Sequence, residues 1–264
     1  METSKKHRWK QALTILLAFA MICTTVSVPA YAEEISGTVS SGNQTLTWNY
    51  DTNTKTLTLS GAAEVPEDNG NTAWGQYKDS ITKVVFGEGV TTIAEGAFAA
   101  YKKLQSVEWN NVTNIEGQAF EGCYALTSIE MNAKVATIGF AAFKGCAGLT
   151  SITILNGVKE ISKEAFCNCT GLQTVKIYDS TDGGVNIGSR AFGFEKKENT
   201  STSLTIVLPK NANIAETDDA YLHDVYASFY ARSNIQKIYF LGDITNNSLT
   251  NDDTLRGLSK RGQL

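Results

Sequence analysis

Leu126-Thr-Ser-Ile129-Glu-Met131, followed by Val135, Ile138, Ala142-Phe143 and Gly145-Cys146, returns as Leu149-Thr-Ser-Ile152-Thr-Ile154, Val158, Ile161, Ala165-Phe166 and Cys169. The Ala-Phe pair falls at 97–98, 119–120, 142–143, 165–166 and 191–192, in steps of 22, 23, 23 and 26 residues. A period near 23 residues is the mark of stacked coils, each covering the apolar face of its neighbour.

Within each unit an apolar-x-x-apolar-x-apolar signature reads as a short strand. It appears as Ile81/Val84/Phe86, Leu104/Val107/Trp109, Leu126/Ile129/Met131, Leu149/Ile152/Ile154 and Leu172/Val175/Ile177. Two weaker copies follow, Ser203/Ile206/Leu208 and Ile235/Ile238/Phe240, after steps of 31 and 32 residues. Alternation with period two, repeated once per coil, makes a parallel ladder. A second apolar pair such as Val135-x-x-Ile138 marks another short segment, and Phe98, Phe120, Phe143, Phe166 and Phe192 should stack inside as a column of rings. The fold class is therefore a repeat solenoid, mainly β with short helical turns, capped at its N-terminal end by a β-hairpin. Asp218–Tyr230 interrupts the last coil with helical spacing.

Upstream, Leu46, Trp48 and Tyr50 alternate with polar residues, as do Leu57 and Leu59, around the turn-forming Asp51-Thr-Asn53-Thr-Lys55. Residues 45–61 thus form a hairpin, and the open end of the solenoid is where it would pack. Residues 62–79 read as a polar linker loop anchored by Trp74 and Tyr77. Its Glu67-Asp-Asn-Gly70 cluster could offer oxygens to calcium, although an ordinary turn is the better reading.

The chain begins differently. Lys5, Lys6, Arg8 and Lys10 precede the apolar run Ala12–Cys23, and Ala30-Tyr31-Ala32 supplies a small-x-small cleavage site, the order of a secretory leader. The expected layout is a signal peptide at 1–32, a β cap and linker at 33–79, the solenoid at 80–244 and a flexible tail at 245–264. Without the leader, 19 Lys/Arg stand against 26 Asp/Glu. That acidic balance argues against nucleic acid and anionic membrane as partners. No transmembrane segment is expected in the mature chain, and the place of action is secreted or extracellular, with association to the cell surface possible.

These units resemble the BspA-like leucine-rich repeat family of secreted and surface proteins, on Leu-Thr-Ser-Ile at 126–129 and 149–152, Gly139-x-x-Ala142-Phe143 and Lys144-Gly145-Cys146-x-x-Leu149. Leu46-Thr-Trp48, Thr56-Leu57-Thr-Leu59-Ser-Gly61 and Ala73-Trp74-x-x-Tyr77 are similar to that family's N-terminal module. The resemblance implies a right-handed stack that binds protein or other surface ligands outside the cell, with adhesion the typical role. Every matching residue is a packing or turn residue, so it speaks to fold rather than to a ligand.

Catalytic chemistry finds little support. His223 is the only histidine after the leader and sits beside Asp224 with no nucleophile motif. Glu108 and Glu130 could meet as ladder neighbours, but stacked repeats create such pairs without catalytic meaning. Cys123, Cys146 and Cys169 recur every 23 residues, which favours buried thiols over bridges; Cys167-x-Cys169 alone is too little for zinc. No catalytic, cofactor or metal residue is assigned.

Binding has a concrete candidate surface. The outward positions of the strands form one row, Ser106, Ser128, Ser151 and Thr174, and a second row, Glu108, Glu130, Thr153 and Lys176. The leading expectation is a non-catalytic, adhesin-like protein taking an extracellular protein or glycan ligand on these rows. A structural, matrix or self-assembling surface protein is the alternative, and a carbohydrate-active enzyme a weaker one.

Overall fold

Ser128–Met131 runs exposed, buried, exposed, buried, the outcome of a two-residue period with one side against a core. The computed structural model describes residues 34–41, 44–68, 72–178, 184–193, 203–209, 212–214 and 235–241. The leader at 1–32, the expected helix at 218–230 with His223, and the tail at 245–264 lie outside them. An antiparallel meander comes first: β1 (Glu34–Ser41), β2 (Gln44–Asp51) and β3 (Thr56–Ser60). Two-residue strands then alternate with longer ones. They are β4 (Glu64–Val65), β5 (Lys83–Phe86), β6 (Thr92–Ile93), β7 (Ser106–Glu108), β8 (Asn114–Ile115) and β9 (Ser128–Met131). The series continues as β10 (Thr137–Ile138), β11 (Ser151–Ile154), β12 (Glu160–Ile161), β13 (Thr174–Ile177) and β14 (Asn186–Ile187), closing with β15 (Leu204–Pro209), β16 (Asn213–Ile214) and β17 (Ile235–Leu241).

Each coil repeats its strands one period later, so like pairs with like in parallel. Ile129, Ile152 and Val175 fall in one register row, as do Met131, Ile154 and Ile177. The short strands form one ladder from β4 to β16. The result is a β-solenoid of about five regular coils; the only helical element among the described residues is the 3-10 turn Gly75–Tyr77.

The third wall of each coil is a turn, and its backbone is also a ladder. The N–H groups of Gln118, Phe120 and Gly122 donate to the carbonyls of Phe140, Ala142 and Lys144 in the next coil, at 2.8, 2.7 and 2.8 Å. Ala141, Phe143 and Gly145 repeat this toward Lys163, Ala165 and Cys167. Pointing alternate amides along the stack requires left-handed backbone two residues before and two after each Phe. Gln118 (φ 54), Ala141 (φ 53) and Glu164 (φ 60) hold the first position, and Gly122 (φ 70), Gly145 (φ 73) and Asn168 (φ 60) the second. Gly or Asn at the second position lowers the steric cost of that conformation.

Inside, Phe98, Phe120, Phe143, Phe166 and Phe192 stack as the periodicity implied, with successive centroids 5.3, 5.1, 5.1 and 5.2 Å apart and ring planes within 9°. Cys123, Cys146 and Cys169 lie beside them as buried thiols, each donating from Sγ to the carbonyl of a Phe in the preceding coil at 3.3 Å.

Three local expectations change. The hairpin of 45–61 is the inner part of a three-stranded meander, and its last strand, β3, pairs in parallel with β5, so the cap continues the ladder. The segment expected as a linker contains β4, whose Val65 is buried and which pairs with β6; Trp74 is fully buried and Tyr77 packs against the core. Just before β15, Ser203 is exposed and the neighbouring Leu204 turns inward, because a hydroxyl gains nothing from the core that an adjacent leucine can fill.

Candidate binding surface

The outward rows lie as alternation places them. Ser128, Ser151 and Thr174 share one register line, and Glu130, Thr153 and Lys176 the next. Ser106, Glu108, Ser128, Glu130 and Lys176 are exposed, while Ser151, Thr153 and Thr174 are half-buried. Behind them Ile129, Ile152 and Val175 are buried, so these polar side chains stand on a fixed frame.

The rows are not one continuous sheet. β7 ends the sheet begun by β1, and β9 begins another; no ladder pairing joins them. The corner that follows β7 is one residue shorter than its successor: Val112 follows Trp109 by three positions, whereas Val135 follows Met131 by four. Asparagine side chains also span these corners. Asn110 Nδ2 donates to the Phe86 carbonyl at 2.7 Å, and Asn132 Nδ2 to the Asn110 carbonyl at 2.6 Å. Ser106 and Glu108 therefore belong to the N-terminal sheet, and the other six candidates to the second.

The charges of the second row are not equivalent. Lys83, one coil upstream, forms an ion pair with Glu108 at 2.5 Å. Among the described residues neither Glu130 nor Lys176 has an ion-pair partner, so they are the uncompensated charges of the stripe. Glu108 is paired with Lys83, and no ladder pairing joins its strand to that of Glu130.

Other sites show structural chemistry. Asp68 of the candidate calcium loop accepts hydrogen bonds from Thr72 Oγ1 at 2.8 Å and the Tyr101 hydroxyl at 2.7 Å, tying the loop to the first regular coil. Among the described residues no three His, Cys, Asp or Glu side chains gather as a metal site. Burial pushes the Cys123 thiol up to about 12 and that of Cys146 well above its ordinary value, with the neighbouring Cys169 and Cys123 adding to the latter. Such thiols are poor nucleophiles.

Two features escaped the repeat reading. Glu164, the one buried charged residue among those described, bridges Lys144 at 3.0 Å and Arg190 at 2.8 Å across three coils. A cleft of about 290 Å³ lies along β12 and β14, lined by Glu160, Ser162, Lys163, Asn186 and Gly188 among others. Sequence offers little warning of the cleft; Glu164 and Arg190 do share a place, two residues before their phenylalanines, but Lys144 reaches the carboxylate from another place in its repeat.

Comparison with known proteins agrees with this architecture. Residues 71–201 match the model of the BspA type leucine rich repeat region, in six copies. A leucine-rich repeat protein from Eubacterium ventriosum is similar over 80% of this chain and 46% of its own, at 21% identity and a TM-score of 0.46. The chain thus spans about half of that protein's length. A leucine rich repeat protein from T. pallidum is similar over 81% of this chain and 92% of its own, at 18% identity and a TM-score of 0.45. A leucine rich cell surface protein from Faecalibacterium prausnitzii matches over 81% and 86%, at 14% identity and a TM-score of 0.32. No curated protein matches the chain.

Proposed function

The repeat region of this chain belongs to the BspA-type leucine-rich repeat family, and from that premise we propose that the protein works outside the cell as a non-catalytic, adhesin-like binding module. Residues 1–32 act as a removable leader in this reading, which leaves Glu33 as the first residue. A protein or glycan partner docks on the outward rows Ser106, Ser128, Ser151, Thr174 and Glu108, Glu130, Thr153, Lys176. The supporting observation is that the second outward row changes from Glu130 to Thr153 to Lys176 along the stack while Ile129, Ile152 and Val175 behind it are repeat-locked and buried. Rigid elements with variable outer side chains are the usual recognition surface of a solenoid. Among the described residues no helix is long and apolar enough to cross a membrane.

Glu130 and Lys176 would orient the partner, because uncompensated charges act mainly on encounter rate and specificity. The test is binding of the purified protein to arrays of extracellular matrix proteins and glycans, followed by the double reversal Glu130→Lys/Lys176→Glu. Expected is unchanged melting with slower association and an altered salt dependence. A bound probe whose association ignores the reversal would remove the strand face from consideration.

A further inference from the structure

β1 is the outermost strand of its sheet. β2 pairs along one side of it over eight residues without a register shift, and among the described residues nothing pairs along the other. Proteins that must avoid edge pairing shorten such a strand, bulge it, or place lysine or proline on it. β1 has none of these devices: it reads Glu-Ile-Ser-Gly-Thr-Val-Ser-Ser, with a single charge at its start. That carboxylate is already engaged, accepting a hydrogen bond from Asn49 Nδ2 at 3.1 Å.

The strand is also near-symmetric about Gly37. On the inner side, half-buried Ile35 and Val39 flank Gly37 and pack against the core. On the outer side, exposed Ser36 and Thr38 flank it, with exposed Glu34 and Ser40 beyond. We propose that β1 pairs antiparallel with β1 of a second copy, about a two-fold axis at Gly37. Directly opposite residues of an antiparallel pair share a face. Ile35 then meets Val39 of the second copy, Ser36 meets Thr38, and Glu34 meets Ser40, with no like charges opposed and no polar residue against an apolar one.

Glycine suits the axis. A Cβ at Gly37 would lie 2.8 Å from Nε1 of Trp48, so the indole occupies the space over the dyad. The same indole N–H is buried without a hydrogen-bond partner. Pairing joins two five-stranded sheets into one of ten and closes both edges, as an isologous contact does. One strand per copy buries less than the standard interface of about 1,600 Å², so the dimer should dissociate in the micromolar range.

The competing geometry is head-to-tail. β1 runs parallel to β3, and hence to the coil strands, so β17 of another copy has a compatible direction. That contact does not close and would grow into chains.

Sedimentation of the whole protein from about 1 to 100 µM decides between them, this being the range where a contact smaller than standard size dissociates. Expected is a reversible monomer–dimer equilibrium that stops at the dimer. Ser36→Lys/Thr38→Lys and Ser36→Glu/Thr38→Glu each set four like charges around the axis, so each should weaken the dimer at least about tenfold. Both positions are exposed, so melting should stay unchanged. Mixing the two variants should restore a dimer containing one copy of each. A monomer throughout, growth beyond the dimer, variants that dimerise like the parent, or a mixture that fails to recover would each overturn the proposal.

Discussion

Replacing Phe143 by alanine probes the column on which all the coils depend. The ring is fully buried and lies between Phe120 and Phe166, with both centroids at 5.1 Å and planes within 4°, while Trp109 lies T-shaped to it with centroids 6.1 Å apart. A buried phenylalanine removes about 150–250 Å² from water, and each stacked contact adds about 0.5–1.5 kcal/mol. At roughly 25 cal/mol per Å² the area alone reaches about 4–6 kcal/mol, and Phe→Ala changes in cores fall at about 3–5 kcal/mol. We expect about 4–5 kcal/mol for Phe143→Ala. Phe143→Leu keeps most of the apolar area and forfeits two ring stacks, so about 1–3 kcal/mol is expected. Phe140, 47% exposed, is the control, and Phe140→Ala should stay within about 0.5 kcal/mol. Urea unfolding followed by circular dichroism gives the comparison. Hydrogen exchange then shows whether opening begins in the coils on either side, as nearest-neighbour coupling requires. A cost below about 2 kcal/mol for the alanine variant would refute the column as core, being less than cavity formation entails. A leucine variant as stable as the parent would refute the contribution of stacking.

Glu164→Ala should destabilise by about 2 kcal/mol, since the carboxylate has two cationic partners in a mostly buried place. That loss should persist in about 0.5 M salt, whereas any effect of breaking the exposed Lys83–Glu108 pair fades with screening. Thiol labelling without reductant should be slow in the folded protein and reach all four described cysteines on unfolding; a missing thiol would indicate a bridge. Burial raises the thiol values in the fold, so their contribution is complete below the unfolded value of about 8.5 and declines as pH rises above it. Asp51 behaves oppositely. The backbone N–H groups of Thr54 and Asn53 hold its carboxyl below the ordinary value, so its contribution is present above about pH 4 and is lost as pH falls through the lowered value. Asp51→Asn should flatten that acid limb of the melting curve.

The repeat made most of this molecule legible, because nearly every contact in a coil is to the residue one period away. Once Leu126, Ile129 and Met131 return as Leu149, Ile152 and Ile154, their register and inward direction follow from alternation. The phenylalanine column and the thiol row follow in the same way, as does the outward placement of all eight candidate binding residues. Periodicity reports which side of a strand meets the core. It does not report what crosses between strands, because that depends on corner geometry and side-chain reach. The missing residue between Trp109 and Val112 is visible as a step of 22, yet the break between β7 and β9 that divides the candidate surface shows only in the fold. β1 eluded the reading because Gly37 interrupts its apolar alternation, and the reason for a glycine there is the indole of Trp48 lying across it. Glu164 and Arg190 hold the same place in adjacent coils, but Lys144 comes from another, joined to the carboxylate by the length of its side chain. A linear pattern encodes backbone direction one residue at a time, whereas these contacts arise where separate coils are brought within a few ångströms by the closure of the stack.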